Sequence, residues 1–146
     1  MKDNRLLVLL RKVLAFRKLI FSGVDVSTEC EIGKTQRGVL MYIAFEGPSS
    51  MNDVSDKFAL AKGSFTQVAD NLEEMGLIER KRCDKDRRII YLETTAKGKE
   101  VALRIHRATE ARIALLLSKL SDEERKDFIN CLEKVHGYID IIKEGK

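Results

Sequence analysis

The first part of the chain is rich in hydrophobic residues, which would cover more than one face of a helix. Between residues 3 and 22, leucine, valine, isoleucine and phenylalanine recur on nearly every side of a helix, and arginine and lysine fill most of the remaining positions. A helix this apolar has to bury several of its sides. We therefore expect it to be enclosed by other elements and to end near Gly23, before a polar stretch over residues 25–34.

Two short helices are predicted next from their patterns and end signals. The first covers residues 36–45, with Thr35 as its N-cap and Gly47 just past its end. The second covers residues 51–58. It follows Ser50, and the acidic residue three positions after that serine is typical of a capping box.

The fourth predicted helix, over residues 62–75, separates apolar from polar side chains most cleanly. Its hydrophobic residues follow the i, i+3, i+4, i+7 spacing of one buried face: they are Phe65, Val68, Ala69, Leu72 and Met75. The opposite face carries Gly63, Gln67, Asp70 and Glu74. Only residues 59–61 separate this helix from the one before it. Two short helices joined in this way, the second with a polar outer face, are typical of a helix-turn-helix.

A short β-hairpin and two long helices complete the predicted elements. Strands over residues 77–81 and 88–93 flank a charged loop. Thr95 is the predicted cap of a helix over residues 96–120, and Ser121 opens a capping box for the last helix. The last helix spaces its apolar residues alternately by four and three, as in a coiled-coil seam: Phe128, Leu132, Val135, Ile139 and Ile142. The predicted fold class is mainly α with a small β-hairpin.

The composition is that of a globular chain with little net charge. Of 146 residues, 44% are hydrophobic and 34% charged, and the formal net charge is only +4. A basic field over the whole protein is therefore no argument for nucleic-acid binding. The longest apolar run, residues 39–45, is far shorter than the roughly 20 residues of a membrane helix. Arg11 and Lys12 interrupt the apolar start, which argues against a secretory signal, so we expect a cytoplasmic protein without a membrane partner.

Cysteine and histidine positions argue against metal and disulfide chemistry. Cys30, Cys83 and Cys131 are far apart and form no C-x-x-C pair, so neither a structural disulfide nor a zinc site is expected. His106 and His136 lack a second ligand at metal-binding spacing. The sequence also contains no nucleophile elbow and no phosphate-binding loop. We expect no metal, no cofactor and no enzymatic activity.

The loop of the predicted hairpin concentrates positive charge. Six of the nine residues from Arg80 to Arg88 are basic, and Asp84 and Asp86 lie among them. A solvated hairpin tip would have the same composition, but this loop directly follows a candidate recognition helix. In that position an arginine at the tip would enter the adjacent minor groove of DNA. An aspartate that accepts hydrogen bonds from this arginine would fix its direction.

Residues 53–101 resemble the MarR family of bacterial and archaeal regulators. The resemblance rests on N-L-E-E-M-G-L-I-E-R and on D-K-D-R-R-I-I-Y-L-E-T-T-A-K-G, in which a D-x-R wing precedes a strand, a threonine and K-G. It implies a sequence-specific transcription regulator, commonly a repressor, that binds a pseudo-palindromic double-stranded DNA operator as a homodimer. Within a single domain over 1–146, residues 35–95 would form the winged helix-turn-helix DNA-binding lobe. Residues 1–34 and 96–146 would supply the dimerisation helices.

The resemblance also implies which side chains meet DNA. Arg88 would enter the minor groove while Asp86 holds it. The wing residues expected at DNA are Arg82, Lys85, Arg87 and Arg88. The recognition-helix residues expected at base edges and phosphates are Lys62, Gly63, Ser64, Thr66, Gln67 and Asn71. Gln67 stands where the family often has arginine, and could instead pair with adenine. Ala61 replaces the usual polar cap, and Asp70 either filters sequences or pairs with the wing.

The sequence leaves open which of two signals releases the protein from DNA. The resemblance implies either a small aromatic or anionic effector, bound in a crevice between the two lobes, or cysteine oxidation. Cys83 is the redox candidate because basic neighbours favour its thiolate, and an incidental exposed thiol is the alternative. Cys30 follows the first helix, and Cys131 is expected to serve packing. A winged helix used for protein assembly instead of DNA binding is a further alternative.

Overall fold

Six helices and three short strands make up the part of the chain that the computed structural model describes, residues 4–24 and 32–145. In chain order the elements are α1 (Asn4–Ser22), α2 (Lys34–Glu46), β1 (Ser49–Ser50), α3 (Met51–Lys57), α4 (Lys62–Glu74), β2 (Ile78–Arg82), β3 (Ile90–Thr94), α5 (Ala96–Leu117) and α6 (Asp122–Glu144). The strands form one antiparallel sheet in the order β1-β3-β2. The predicted fold class, mainly α with a small β-hairpin, is confirmed.

Helix α2 starts earlier than predicted, and Thr35 is not its N-cap. The cap is Gly33, whose backbone is extended. Its N–H donates to Oε1 of Gln36 at 2.8 Å, and its carbonyl accepts from the N–H of Arg37 at 2.9 Å. Gln36 is therefore the third helical residue, a position from which a long polar side chain reaches back to the cap. This contact places the cap two residues before Thr35.

Strand β1 is an element that the hydrophobic pattern did not predict. Ser49 and Ser50 pair with Leu92 and Tyr91 of β3. Two residues are too few to show the alternation that marks a strand in a sequence. Ser50 is also the N-cap of α3, where its Oγ accepts from the N–H of Asp53 at 3.1 Å, as predicted. The pairing therefore fixes the start of α3 beside β3.

A hydrophobic core lies in the unit Ser22–Thr109, which we call the winged-helix unit. The predicted apolar face of α4 is confirmed, because Phe65, Ala69 and Leu72 are buried, and Val68 and Met75 are partly buried against the same core. Helix α2, strand β3 and the first half of α5 supply further core residues: Val39, Leu40, Ile43, Leu92, Val101, Ala102 and Ile105. This core holds the inner face of α4 and leaves its polar face outside.

A tight junction joins the end of α4 to the start of α5. Gly76 closes α4 with a φ of +69°, a conformation that glycine adopts at little cost. The Thr95 hydroxyl donates to the Gly76 carbonyl at 2.6 Å and accepts from the N–H of Gly98 at 2.9 Å, which confirms Thr95 as the cap of α5. Lys97 Nζ donates to the Met75 carbonyl at 2.9 Å. The K-G pair after Thr95 thus fixes the C-terminal end of α4.

The second unit, called here the helical unit, comprises the residues up to Phe21 and from Glu110 onwards. Phe16 and Phe128 meet edge to face at 5.5 Å between ring centroids. The predicted capping box of α6 is confirmed, since Ser121 Oγ accepts from the N–H of Glu124 and the Glu124 carboxylate accepts from the N–H of Ser121. Neither α1 nor α6 contains a buried residue. The expectation that α1 is enclosed on several sides is therefore not met by one copy of the chain.

The described residues contain no helix that is long and apolar enough to cross a membrane. Within the same residues, histidine, cysteine, aspartate and glutamate side chains do not gather in groups that could hold a metal ion.

Candidate nucleic-acid interface

The turn between α3 and α4 is held by hydrogen bonds that fix the direction of α4. The Ser55 hydroxyl, which is buried, donates to the Leu60 carbonyl at 3.0 Å. The N–H of Leu60 donates back to the Ser55 carbonyl at 3.1 Å. Between them Ala59 has a φ of +50°, which the surrounding bonds must stabilise. The two helices therefore form the predicted helix-turn-helix.

The first turn of α4 presents an open polar surface. Five of the six residues predicted to meet DNA from this helix are exposed and Asn71 is half-buried; the exposed residues are Lys62, Gly63, Ser64, Thr66 and Gln67. Ala61 is the N-cap, and it supplies no side-chain hydrogen bond. The backbone N–H groups of this turn are consequently left without a side-chain acceptor, and such groups together with the helix dipole attract anions.

The wing is the loop between β2 and β3, which pair antiparallel up to Arg82 and Ile90. Two backbone hydrogen bonds shape it: the N–H of Cys83 donates to the Ile89 carbonyl, and the N–H of Ile89 donates to the Asp86 carbonyl, both at 2.9 Å. The predicted wing residues all have exposed side chains, namely Arg82, Lys85, Arg87 and Arg88. The loop therefore has a defined course and a basic surface.

Asp86 holds the Arg88 side chain in one direction. Arg88 donates from its backbone N–H and from Nε to Asp86 Oδ1 at 3.0 and 3.1 Å, and from Nη2 to Asp86 Oδ2 at 3.3 Å. Even so, 91% of the Arg88 side chain is exposed. Hydrogen bonds from the Arg88 side chain, and then from its backbone, lower the pKa of Asp86. Because a lowered carboxyl pKa means that the pair is lost only as the pH falls through that value, the pair is intact at neutral pH.

The wing and the first turn of α4 border the same cleft. A cavity of about 200 Å³ lies between α3, α4 and β3. Lys62 and Thr66 of α4 line it together with Arg88 of the wing, and Phe65 contributes to its wall. Residues that the sequence analysis assigned to two separate grooves of DNA are therefore neighbours in space.

Arg80 has a role that the sequence analysis missed. Its Nη2 lies 2.6 Å from Asp70 Oδ1, and its Nη1 pairs with the carboxylate of Glu73. Of the two roles open for Asp70, the structure thus favours pairing, although the partner lies in β2, the strand that leads into the wing, and not in the loop itself. The signal available in the sequence was the alternation of β2, which places Arg80 on the same side of the strand as the buried Ile78.

The cysteines do not come together in the described residues. Cys83 is half-buried at the start of the wing, and its role in redox sensing stays a prediction. Cys131 is exposed on α6, so the expectation that it serves packing is not met within one chain. Cys30 lies outside the described residues.

Comparison with known proteins identifies the family of this fold. A family model described as MarR family matches residues 32–89. The HTH-type transcriptional regulator YkoM of Bacillus subtilis (strain 168) is 31% identical over 120 residues, which are 82% of this chain and 78% of YkoM. A MarR family protein from Bacillus stearothermophilus superposes with a TM-score of 0.78 and 26% identity, over 96% of this chain and 99% of that one.

A second solved structure shares the fold at lower identity. Streptococcus pneumoniae FabT, whose crystal structure was solved in complex with DNA, superposes with a TM-score of 0.68 and 23% identity over 96% of each chain. The chain belongs to the MarR family of winged helix-turn-helix transcriptional regulators, and it is not an enzyme.

Proposed function

We propose that this chain regulates transcription by binding a specific double-stranded DNA operator, with α4 in the major groove and the wing over the adjacent minor groove. The observation that carries the proposal is Arg88, a side chain that is almost fully exposed yet aimed by Asp86, beside the first turn of α4. An exposed arginine with a fixed direction suits insertion into a narrow minor groove. FabT, which shares this fold, was solved in complex with DNA, and this supports DNA as the partner.

The proposed contacts divide into those that position the protein and those that read sequence. The open N–H groups of α4 and the charge of Lys62 would bind phosphates. Gly63 would lie against the DNA backbone, since no atom of the described residues lies within 4 Å of where its Cβ would be and this side of α4 is open. Gln67, with Ser64, Thr66 and Asn71 nearby, would face base edges, and a glutamine pairs bidentately with adenine. Arg82, Lys85 and Arg87 would add phosphate contacts around Arg88.

Selection of bound sequences from random duplex DNA, carried out at two salt concentrations, tests this function. We expect an enriched sequence with two-fold symmetry, and weaker total binding at the higher salt because counterions compete for the phosphates. Recovery of unenriched DNA at both salts would contradict the proposal. It would favour the alternative of a winged helix used for protein assembly.

We further propose that the protein acts as a homodimer formed by α1 and α6. Many large apolar side chains of these helices are exposed in the single chain, including Leu6, Leu10, Leu14, Leu132, Val135, Ile139 and Ile142. A soluble protein rarely leaves so continuous an apolar surface uncovered, and the alternating spacing on α6 suits a second helix. A dimer would also present two recognition helices, one to each half of a palindromic operator, about one helical turn apart.

Substitution of Ile139 by aspartate is expected to convert a dimer into a monomer. Burial of a charged side chain without a partner is strongly unfavourable, so the mass measured by light scattering should fall from twice 16.6 kDa to 16.6 kDa. The matched control is Asn130→Asp, which introduces the same residue on the opposite, polar side of α6. Retention of the dimer by Ile139→Asp, at unchanged helical content, would contradict the proposed interface.

We propose that a small aromatic or anionic effector releases the protein from DNA, with repression as the regulatory outcome. Because the operator is genomic DNA, we place the protein in the cytoplasm.

The alternative is release by oxidation of Cys83. Since we propose an effector instead, we expect hydrogen peroxide to leave DNA binding by the wild type and by Cys83→Ser equally unchanged in a gel-shift assay. Loss of binding by the wild type alone would establish the redox alternative instead.

A further inference from the structure

The helix proposed to enter the major groove carries more negative than positive charge. Between Lys62 and Glu74, α4 contains one lysine and three carboxylates, a formal charge of −2. Asp70 stands on the same polar face as Gln67, about one turn further along. Like charges repel at close range, so an uncompensated helix of this composition would be repelled by the phosphates that flank the groove.

Arg80 pairs with two of these three carboxylates at once and offsets one of their two negative charges. Its guanidinium pairs with Asp70 at 2.6 Å and with Glu73, and its backbone N–H also donates to Glu73 Oε1 at 3.3 Å. The Arg80 side chain is 23% exposed, whereas those of Asp70 and Glu73 are 49% and 40% exposed. The arginine is thus the inner member of the cluster, and the acids face outward. It is poorly placed to contact DNA itself.

We infer that Arg80 is a positioning residue that enables α4 to approach DNA by offsetting half of the negative charge of Asp70 and Glu73 and by tying this helix to β2, the strand that leads into the wing. The inference rests on the proposed function, because it concerns the approach of α4 to phosphates. Arg80 then supports affinity without touching the operator. Its removal acts on DNA by exposing two carboxylates.

Lys81 provides a matched control in the same strand. It points to the other face of β2, where Nζ lies 3.1 Å from Glu79 Oε1 and 2.5 Å from Glu93 Oε2. The hydrogen bonds that Lys81 donates to Glu93 and then to Glu79 raise its pKa, so it is charged at neutral pH. Arg80→Gln and Lys81→Gln therefore remove the same charge from adjacent residues, but only the first leaves carboxylates of α4 uncompensated.

Titration of the selected duplex with each variant at several salt concentrations tests the inference. At low salt, Arg80→Gln should weaken binding by about tenfold and Lys81→Gln by about twofold or less. The Arg80→Gln deficit should shrink as salt screens the repulsion. Adding Asp70→Asn and Glu73→Gln to Arg80→Gln should restore affinity to at least that of the wild type, because this cluster then has no charge instead of a charge of −1.

Two kinds of result would overturn the role assigned to Arg80. A deficit that is equal at all salt concentrations, or that persists in the triple variant, would mean that Arg80 acts only by holding β2 against α4. Wild-type affinity in Arg80→Gln would mean that the two acids do not face DNA. In both cases the wild-type protein still binds the duplex, whereas failure of the wild type to bind any duplex would contradict the proposed function itself.

Discussion

Replacement of Gly98 by alanine is expected to lower the free energy of unfolding by at least about 2 kcal/mol, at the upper part of the range for overpacked sites. A Cβ at this position would lie 1.8 Å from the Leu77 carbonyl oxygen and 2.8 Å from its carbonyl carbon. Both atoms belong to the backbone, which cannot rotate away as a side chain can. The first turn of α5 would have to move, and the bonds from Thr95 and Lys97 to the end of α4 would stretch with it.

Urea denaturation followed by circular dichroism measures this effect. Gly63→Ala is the matched control, because it makes the same change in a helix of the same unit and its Cβ would meet nothing within 4 Å. We expect this control to be as stable as the wild type, or more stable by up to about 1 kcal/mol through helix propensity. Equal midpoints for Gly98→Ala and Gly63→Ala would show that the junction between α4 and α5 does not constrain the fold.

Replacement of Arg88 by alanine is expected to weaken operator binding by about 10- to 100-fold, equivalent to roughly 1–3 kcal/mol. The side chain is 91% exposed, and the partner it has among the described residues is Asp86, two positions away in the same loop. Its loss should therefore leave the helical content and the unfolding midpoint unchanged. Fluorescence anisotropy with the selected duplex measures the affinity. Unchanged binding would remove the wing from the proposed interface.

Two further variants separate the charge of Arg88 from its direction. Arg88→Lys keeps the positive charge but loses the planar guanidinium that pairs with both Asp86 oxygens. Asp86→Asn keeps the guanidinium but weakens the bonds that aim it. We expect both affinities to lie between those of the wild type and Arg88→Ala. If Asp86→Asn instead bound as tightly as the wild type, the direction of Arg88 would be irrelevant to binding.

The parts of the fold that depend on neighbouring residues were predictable from the sequence. The buried face of α4 follows from spacing within one helix, and the Ser121 capping box from two residues three positions apart. The contact between Asp86 and Arg88 was implied by the resemblance to the D-x-R wing of the MarR family, and it spans two positions. In each case the interacting groups are brought together by local geometry alone, so no knowledge of the tertiary structure was required.

Features that depend on distant backbone were not predictable in the same way. The short strand β1 exists because Ser49 and Ser50 meet β3 about forty residues later. The need for glycine at position 98 comes from the carbonyl of Leu77, which lies on a different element. The prediction that Thr35 caps α2 was wrong for a local reason. Thr35 and Gly33 are both suitable N-cap residues, and only the observed contact of Gln36 with Gly33 distinguishes them.

The exposed faces of α1 and α6 connect the sequence to the proposed assembly. The pattern of residues 3–22 predicted a helix enclosed on several sides, yet the single chain leaves Leu6, Leu10 and Leu14 exposed. Both observations are met if a second copy of the chain covers these residues. The same arrangement would couple DNA binding to dimer formation, so Ile139→Asp should lose operator affinity together with its partner.

The most direct test of the central claim is a stoichiometric titration of a duplex that carries both selected half-sites, compared with a scrambled duplex of equal length and composition. Because the protein is proposed to bind as a homodimer, we expect saturation at two chains per duplex. We also expect binding at least about 1,000-fold tighter than to the scrambled sequence, the lower end of the range for specific regulators. Equal affinity for the two duplexes, or saturation at one chain per duplex, would contradict the proposed function.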